Sequence, residues 1–524
     1  MGKRTYNILF HTHTISGIVI SVALYVIFFA GSFAFFRDEI NNWQRNHKVE
    51  VIDELPSNLD AQLEQLSQTY ELHGRDVELR HNYNERNIAI SLSASKDSLA
   101  SEKNKESAFL YLDTTSGHSS TYIESYALGE FLYRLHFFAQ IPYPIGYYLS
   151  GFVAFFFLFA IITGIIVHWN KIVSNFFVFR PWAKIKTLWT DAHTALGVIG
   201  FPFQFVYAVT GAFFMIKSLL VIPVLIGLYD GDQKKLYEDL EYTHPEFAFH
   251  QKKLNKPYSL DLLVEETKKQ WPGFLVTEAH IFNYGDENMH VALSGNMSYN
   301  TKLNGTGYRI YKLRDRSIVK ERNPNNNNSY LDGVKNMMFR LHFGDYAGYD
   351  LRIISFILGL ISCVVILSGI MIWLVARNKK NVPEKRRKFN QAVANIYMAI
   401  CLSMYPVTAL EFILVKCYPI ANMTFIYRTY FIVWLLAALF FILKKNINFT
   451  NKWTLVSGGI LSVLIPFVNG TVSGQWIWKT WGNGFLDVLI VDSIWLGIGC
   501  ISLWVAFFKL NVKIEKPTIT TRAT

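Results

Sequence analysis

Charge is scarce in this chain: Asp, Glu, Lys and Arg make up 17% of its 524 residues, where a soluble domain carries about a quarter. Beside a 51% hydrophobic share and 41 phenylalanines, that deficit argues against an ordinary soluble protein and for a membrane protein. Cysteine is nearly absent. The four present (Cys363, Cys401, Cys417, Cys500) form no CxxC and no CxxCH, which excludes a disulfide framework and covalently attached c-type haem. No strand–GxGxxG–helix signal occurs, so no nicotinamide or flavin domain is expected. No small-residue cleavage site follows the first apolar run, which is therefore expected to be a retained anchor. Zinc-finger and basic-helix spacings are also missing. The net charge of +11 sits largely beside apolar segments, so nucleic acid is excluded as a partner and a lipid membrane is expected.

What is present is a set of long apolar runs. Eight are long enough to cross a bilayer, which takes about 20 helical residues: 15–36, 145–168, 196–220, 351–376, 392–415, 426–444, 453–470 and 486–508. Basic residues fill alternate connections. Lys3 and Arg4 precede the first run, and Lys171, Arg180, Lys184 and Lys186 follow the second. Arg377, Lys379, Lys380, Lys385, Arg386, Arg387 and Lys388 follow the fourth; Lys444, Lys445 and Lys452 follow the sixth. The bias predicts a multi-pass protein with these connections and both termini cytoplasmic.

Two long polar sections then fall outside. The first holds a helix-like "LDAQLEQLSQTY" and strand-like segments such as "NIAISLSA"; the second repeats the plan with "LDLLVEETKKQW", "FLVTEAHIFNYG" and "NMHVALSG". "NPNNNNS" at 323–329 reads as a loop. The predicted fold class is a mainly α-helical polytopic membrane protein with two periplasmic α+β domains in a repeated arrangement. Its parts are a first span (1–36), a first outer domain (37–135), second and third spans (136–220), a second outer domain (221–340), a fourth span (341–376) and a four-span extension (377–524).

The two halves correspond in detail. "HTHTISG" at His11–Gly17 and "DAHTALG" at Asp191–Gly197 align His13 with His193 and Gly17 with Gly197, and each histidine is followed 18 residues later by a glycine, Gly31 or Gly211. On the outer side "YRLHF" matches "FRLHF", aligning His136 with His342 and Arg134 with Arg340. "TGIIVHW" and "SGIMIW" then align Gly164 with Gly369. Two histidines thus occupy equivalent inner positions and two occupy equivalent outer ones. Facing neutral imidazoles suit the axial positions of haem iron, with their second nitrogens held by nearby carbonyls or hydroxyls, for which Thr14, Thr194 and the preceding turns are candidates. A span of about 22 residues rises roughly 33 Å, so the inner pair (His13, His193) and the outer pair (His136, His342) cannot share one iron.

His11 stands about 200° around a regular helix from His13 and is an alternative ligand only if the first span begins irregularly. His168 is a second alternative at the inner site. Arg134 and Arg340 fit either a haem propionate, through the guanidinium fork, or anchoring at the membrane edge. Gly17, Gly31, Gly164, Gly197, Gly211 and Gly369 mark places for close approach of a flat cofactor or another helix. Glu411 is a carboxylate inside the extension, placed either for function or at the interface.

At these motifs the chain resembles the PepSY-associated transmembrane family over about residues 1–376, and particularly its membrane ferric-siderophore reductases. The resemblance implies a bacterial inner-membrane oxidoreductase with periplasmic PepSY-like domains and two haem b groups, ligated by His13, His193, His136 and His342. It implies that a ferric-siderophore or another ferric chelate is reduced and Fe(II) released, with a quinol or separate reductase as electron donor. The alternatives are a haem-containing carrier to a quinone or protein partner, a non-enzymatic membrane scaffold or regulator, and an iron-chelate permease. The four-span extension departs from a minimal reductase.

Overall fold

A computed structural model describes residues 2–48, 52–81, 85–169, 172, 180, 185–240, 245–255, 258–298, 305–326, 329–418 and 420–510. Lys171 and Lys184 of the basic connections, and Asn327 and Asn328 of the asparagine-rich loop, lie outside the described residues. The chain forms two compact units, one of Met1–His47, Ala127–Val209 and Phe356–Thr524, the other of Lys48–Tyr126 and Thr210–Ser355.

The helices in chain order are α1 (Lys3–Ala34), α2 (Arg37–Arg45), α3 (Leu59–Ser67), α4 (Tyr122–Ser125), α5 (Leu128–Leu135), α6 (Ile145–His168), α7 (Ile185–Tyr229) and α8 (Gln233–Asp239). They continue with α9 (Leu260–Gln270), α10 (Tyr330–Phe343), α11 (Gly348–Arg377), α12 (Glu384–Cys417), α13 (Met423–Lys444), α14 (Ile447–Ser473), α15 (Ile477–Gly482) and α16 (Leu486–Trp504). Eight of these, α1, α6, α7, α11, α12, α13, α14 and α16, are long and apolar enough to cross a membrane. The protein is a polytopic membrane protein with an antiparallel sheet.

Several helices outrun the apolar stretches that announce them. α1 begins at Lys3 rather than near residue 15, and α7 runs for 45 residues from Ile185, about 68 Å of helix. Hydropathy marks the bilayer core, whereas helix ends are set by caps and breakers. Thr, Asn and His interrupt the hydrophobicity of "YNILFHTHTISG" without interrupting its backbone hydrogen bonding. The inner histidines therefore sit within helices and not at their mouths.

In the first unit α1 packs along α6, while α12, α14 and α16 pack on one another. Pro406 lies inside α12 and Pro466 inside α14, as bilayer helices tolerate. A buried aromatic group joins α1 to the extension: Phe33 stacks on Trp495 at 5.1 Å between ring centres, and Phe412 meets Trp495 at 4.9 Å. Such aromatic pairs add to the area they bury.

The second unit is built on one antiparallel sheet. Its strands are β1 (Val77–Arg80), β2 (Asn87–Leu92), β3 (Ala108–Asp113), β4 (Ser119–Thr121), β5 (Phe274–Phe282), β6 (His290–Met297), β7 (Thr306–Lys312) and β8 (Ser317–Arg322), in the order β4-β3-β2-β1-β5-β6-β7-β8. Each outer section contributes a four-stranded meander. The first strand of one pairs with the first strand of the other, Leu79 opposite Ala279 and Arg80 opposite Glu278. Alternation sends Val77 and Leu79 into a core shared with Leu59, Leu63, Leu260, Leu263 and Val276. Arg80 pairs with Glu278 across the opposite face at 3.3 Å.

The helices that precede the meanders cap each other. Asp60 accepts hydrogen bonds from Ser259 Oγ (2.6 Å) and from the backbone N–H of Leu260 (2.8 Å), and Asp261 accepts from the N–H of Leu59 (2.7 Å). N-terminal amides without an intrahelical partner are thus satisfied by a carboxylate from the other repeat. The "LD" that opens both helix-like motifs has this physical role.

Candidate haem-binding site

The inner histidines are brought together within the first unit. His13 on α1 and His193 on α7 have ring centres 6.3 Å apart and ring planes at 72°. Each ring is held by the same device on a different helix. His13 Nδ1 donates to the carbonyl of Ala160 on α6 at 2.9 Å, and His193 Nδ1 donates to that of Val365 on α11 at 2.9 Å. A carbonyl can only accept, so both protons sit on Nδ1 and both Nε2 lone pairs remain for a metal. The same carbonyls take a hydroxyl one turn on: Thr163 Oγ1 donates to Ala160 O at 3.1 Å, and Ser368 Oγ donates to Val365 O at 2.7 Å. Ser368 Oγ also lies 3.1 Å from His193 Nδ1.

Glycine explains the next position. A Cβ on Gly164 would stand 3.1 Å from His13 Cε1, and one on Gly369 would stand 3.3 Å from His193 Cε1. The imidazole edges lie where a side chain would otherwise be. The motif is thus a carbonyl, a hydroxyl three residues later and then a glycine, at 160–164 and again at 365–369. Sequence reading placed the orienting groups on Thr14, Thr194 or the preceding turns. Thr14 instead bonds back to Phe10 O on its own helix, and the orienting groups come from the facing helices. The signal was in the sequence as the repeated Thr-Gly and Ser-Gly, but nothing there says which carbonyl lies opposite.

Gly17 and Gly197 behave differently. Each lies one turn after its histidine, on the same helix face, and among the described residues nothing from another part of the chain comes within 4 Å of a Cβ built there.

His11 is exposed and α1 is regular from Lys3 to Ala34, so it points away from the pair and the irregular start it needs is not there. His168 ends α6 one turn beyond Gly164. Asp191, two residues before His193, is held in a fork by Arg180, whose Nε and Nη2 each donate at 2.9 Å.

The outer residues fall in separate units. In the first, His136 follows the last residue of α5, and its Nδ1 donates to Tyr133 O. Burial pushes its imidazole pKa down to about 4, so the ring is neutral at physiological pH. Its Cβ lies 3.7 Å from a Cβ built on Gly31. Gly31 is 18 residues, five turns, beyond His13, so α1 presents both sites on one face about 27 Å apart. Arg134 is engaged by Glu130 at 2.8 Å. In the second unit His342, on α10, has Nδ1 2.8 Å from Thr210 Oγ1 and its ring 5.0 Å from that of Phe214, nearly perpendicular. Arg340 is buried on the same helix, and Gly211 follows Thr210 on α7. Glu411 is buried in α12 and accepts from Thr429 Oγ1 at 2.7 Å.

A comparison with curated proteins gives no match. The model of one family, described as the PepSY-associated TM region, matches residues 10–376. That range starts just before "HTHTISG", ends just after "SGIMIW" and contains both repeats with all the histidines considered above. The chain belongs to the PepSY-associated transmembrane family.

Proposed function

We propose that this protein is a di-haem b oxidoreductase of a bacterial inner membrane, which passes electrons outward to a ferric-siderophore or another ferric chelate and releases Fe(II). The observation that carries the reading is the inner histidine pair with its duplicated holders. Metal–imidazole bonds are about 2 Å long. Two of them in line, with the half-rings that reach to the ring centres, fill a separation of 6.3 Å. Among the described residues no three or more His, Cys, Asp or Glu gather to hold a bare metal ion. Haem, which brings its own equatorial nitrogens, needs only the two the protein offers. Among the described residues nothing comes within 4 Å of a Cβ built on Gly17 or Gly197, one turn beyond each imidazole, which would leave room for the edge of a flat ring there.

When bound, haem b supplies reversible one-electron exchange between Fe(III) and Fe(II). The chain's own contribution is positional. Ala160 O and Val365 O fix the tautomer and rotation of the inner imidazoles, and hydrogen bonding to the distal nitrogen raises their basicity. Tyr133 O does the same for His136. The sequence repeat alone is the ground for proposing His136 and His342 as ligands of a second haem, with Arg134 and Arg340 suited to propionates. The charge bias puts both termini in the cytoplasm and the sheet-bearing sections in the periplasm. The donor on this reading is a quinol or a separate reductase.

Mixing the dithionite-reduced protein with ferric chelates in a stopped-flow instrument, with a chromogenic Fe(II) trap present, checks the acceptor. The expected result is oxidation of the protein with one Fe(II) trapped per electron lost. Oxidation by quinone or a protein partner without trapped Fe(II) assigns the chain to the carrier reading instead.

A further inference from the structure

The four-span extension lies outside the family match, yet it is fastened to α2, the short helix that follows α1. Asp492 on α16 is fully buried. Its Oδ1 accepts from Trp43 Nε1 on α2 at 2.8 Å, and its Oδ2 accepts from Asn469 Nδ2 on α14 at 2.8 Å. Lys416 of α12 donates to the carbonyl of Trp43, and its Nζ lies 4.6 Å from the centre of the indole. Asp487 accepts from Asn42 Nδ2 at 2.7 Å. Carboxylates and an ammonium group within a membrane bundle are costly unless something uses them, and here two helices of the extension, α12 and α16, direct them at two residues of α2.

α2 in turn grips α5. Gln44 Oε1 accepts from the N–H of Leu128 at 2.8 Å and Asn41 Oδ1 from that of Glu130 at 3.3 Å, which satisfies amides of the first turn of α5. Gly129 presses on the α2 backbone: a Cβ there would stand 2.0 Å from Arg37 O. The Arg37 guanidinium lies 5.0 Å from the centre of the Tyr133 ring, and Tyr133 O holds His136. On another side of α5, Phe131 packs on Tyr430 of α13 at 4.8 Å. A helix of eight residues is too short to hold itself, so its neighbours set its place.

We infer that Asp492 and Trp43 are positioning residues through which the C-terminal extension holds α5, and with it His136, in place for the outer haem. This rests on the di-haem reading for its consequence but not for its mechanical part. The extension is on this account a brace for the outer ligand and not a separate transport module.

The test uses the full-length purified protein with Trp43→Phe, which removes the indole N–H and keeps an aromatic ring, Asp492→Asn, the double variant, and Tyr405→Phe as control. Tyr405 bonds Ser462 at 2.9 Å inside the extension and is absent from the α2–α5 contacts above. The expected result is amide exchange about tenfold faster across 128–136 in either single variant, with the double variant no worse than the more affected single one. Exchange elsewhere in α1 and α6 and the inner-haem spectrum stay as they were, and the low-temperature paramagnetic signal of the second haem shifts. Unchanged exchange at 128–136, a uniform rise throughout the chain, or an equal effect of Tyr405→Phe would overturn the inference. A wild-type protein without haem would sink the functional reading while the exchange result still decided the brace.

Discussion

His193→Ala is expected to lower the haem content of the purified protein by about half, and His13→Ala to do the same, since these are the two residues that would hold the inner haem. The remaining haem should keep its midpoint potential, because His136 packs beside Gly31, which stands five turns along α1 from His13, about 27 Å away. His11→Ala should leave the haem content unchanged, as that ring is exposed and on the other side of α1. His168→Ala separates the remaining alternative: as a neighbour it alters the inner potential and keeps the haem, whereas as a ligand it loses it. Pyridine-haemochrome quantitation and a redox titration of each variant read these outcomes. Loss of both haems from His193→Ala with the fold intact would argue against separate sites.

The glycines give the second large effect, and they divide into two classes with different causes. At Gly369 a Cβ meets His193 Cε1 at 3.3 Å, and at Gly164 one meets His13 Cε1 at 3.1 Å. Alanine there asks the ring to give by a few tenths of an ångström, which should move the inner potential and leave the haem bound. Valine at either site should displace the imidazole from its carbonyl and expel the inner haem, since side chains in a packed interior have little room to move. At Gly17 and Gly197 none of the described residues comes within 4 Å of a built Cβ. Leucine there should leave the helices folded, and strengthen them slightly by propensity, yet prevent haem from binding if the flat ring fills that space. Circular dichroism together with haem quantitation distinguishes the two classes. A Gly197→Leu protein with a full haem complement would show that the cofactor lies elsewhere.

Much of this was legible in the residues. Apolar length alone places all eight crossing helices, and the repeat of "HTHTISG" as "DAHTALG" pairs His13 with His193. Helix limits were less legible, because hydropathy reports the bilayer and not the last hydrogen bond; α1 and α7 extend past their apolar cores to carry the histidines. The Nδ1 acceptors could not be read at all. Ala160 and Val365 act through backbone carbonyls, and a backbone atom leaves no trace in residue identity. The β1–β5 pairing was hidden for another reason. It joins segments about 200 residues apart, and register between such strands depends on the assembled core rather than on local pattern. The fastening of α2 by Asp492 belongs to the same class, since Asn42 and Trp43 look like any polar stretch leaving a membrane helix.

The central claim is that the paired histidines hold haem. Its most direct test is the reduced-minus-oxidised spectrum and haem-to-protein ratio of the wild-type chain purified from cells supplied with haem. The account predicts b-type α and Soret bands and about two haems per chain, one for each histidine pair. A folded, eight-span protein that carries none would contradict it.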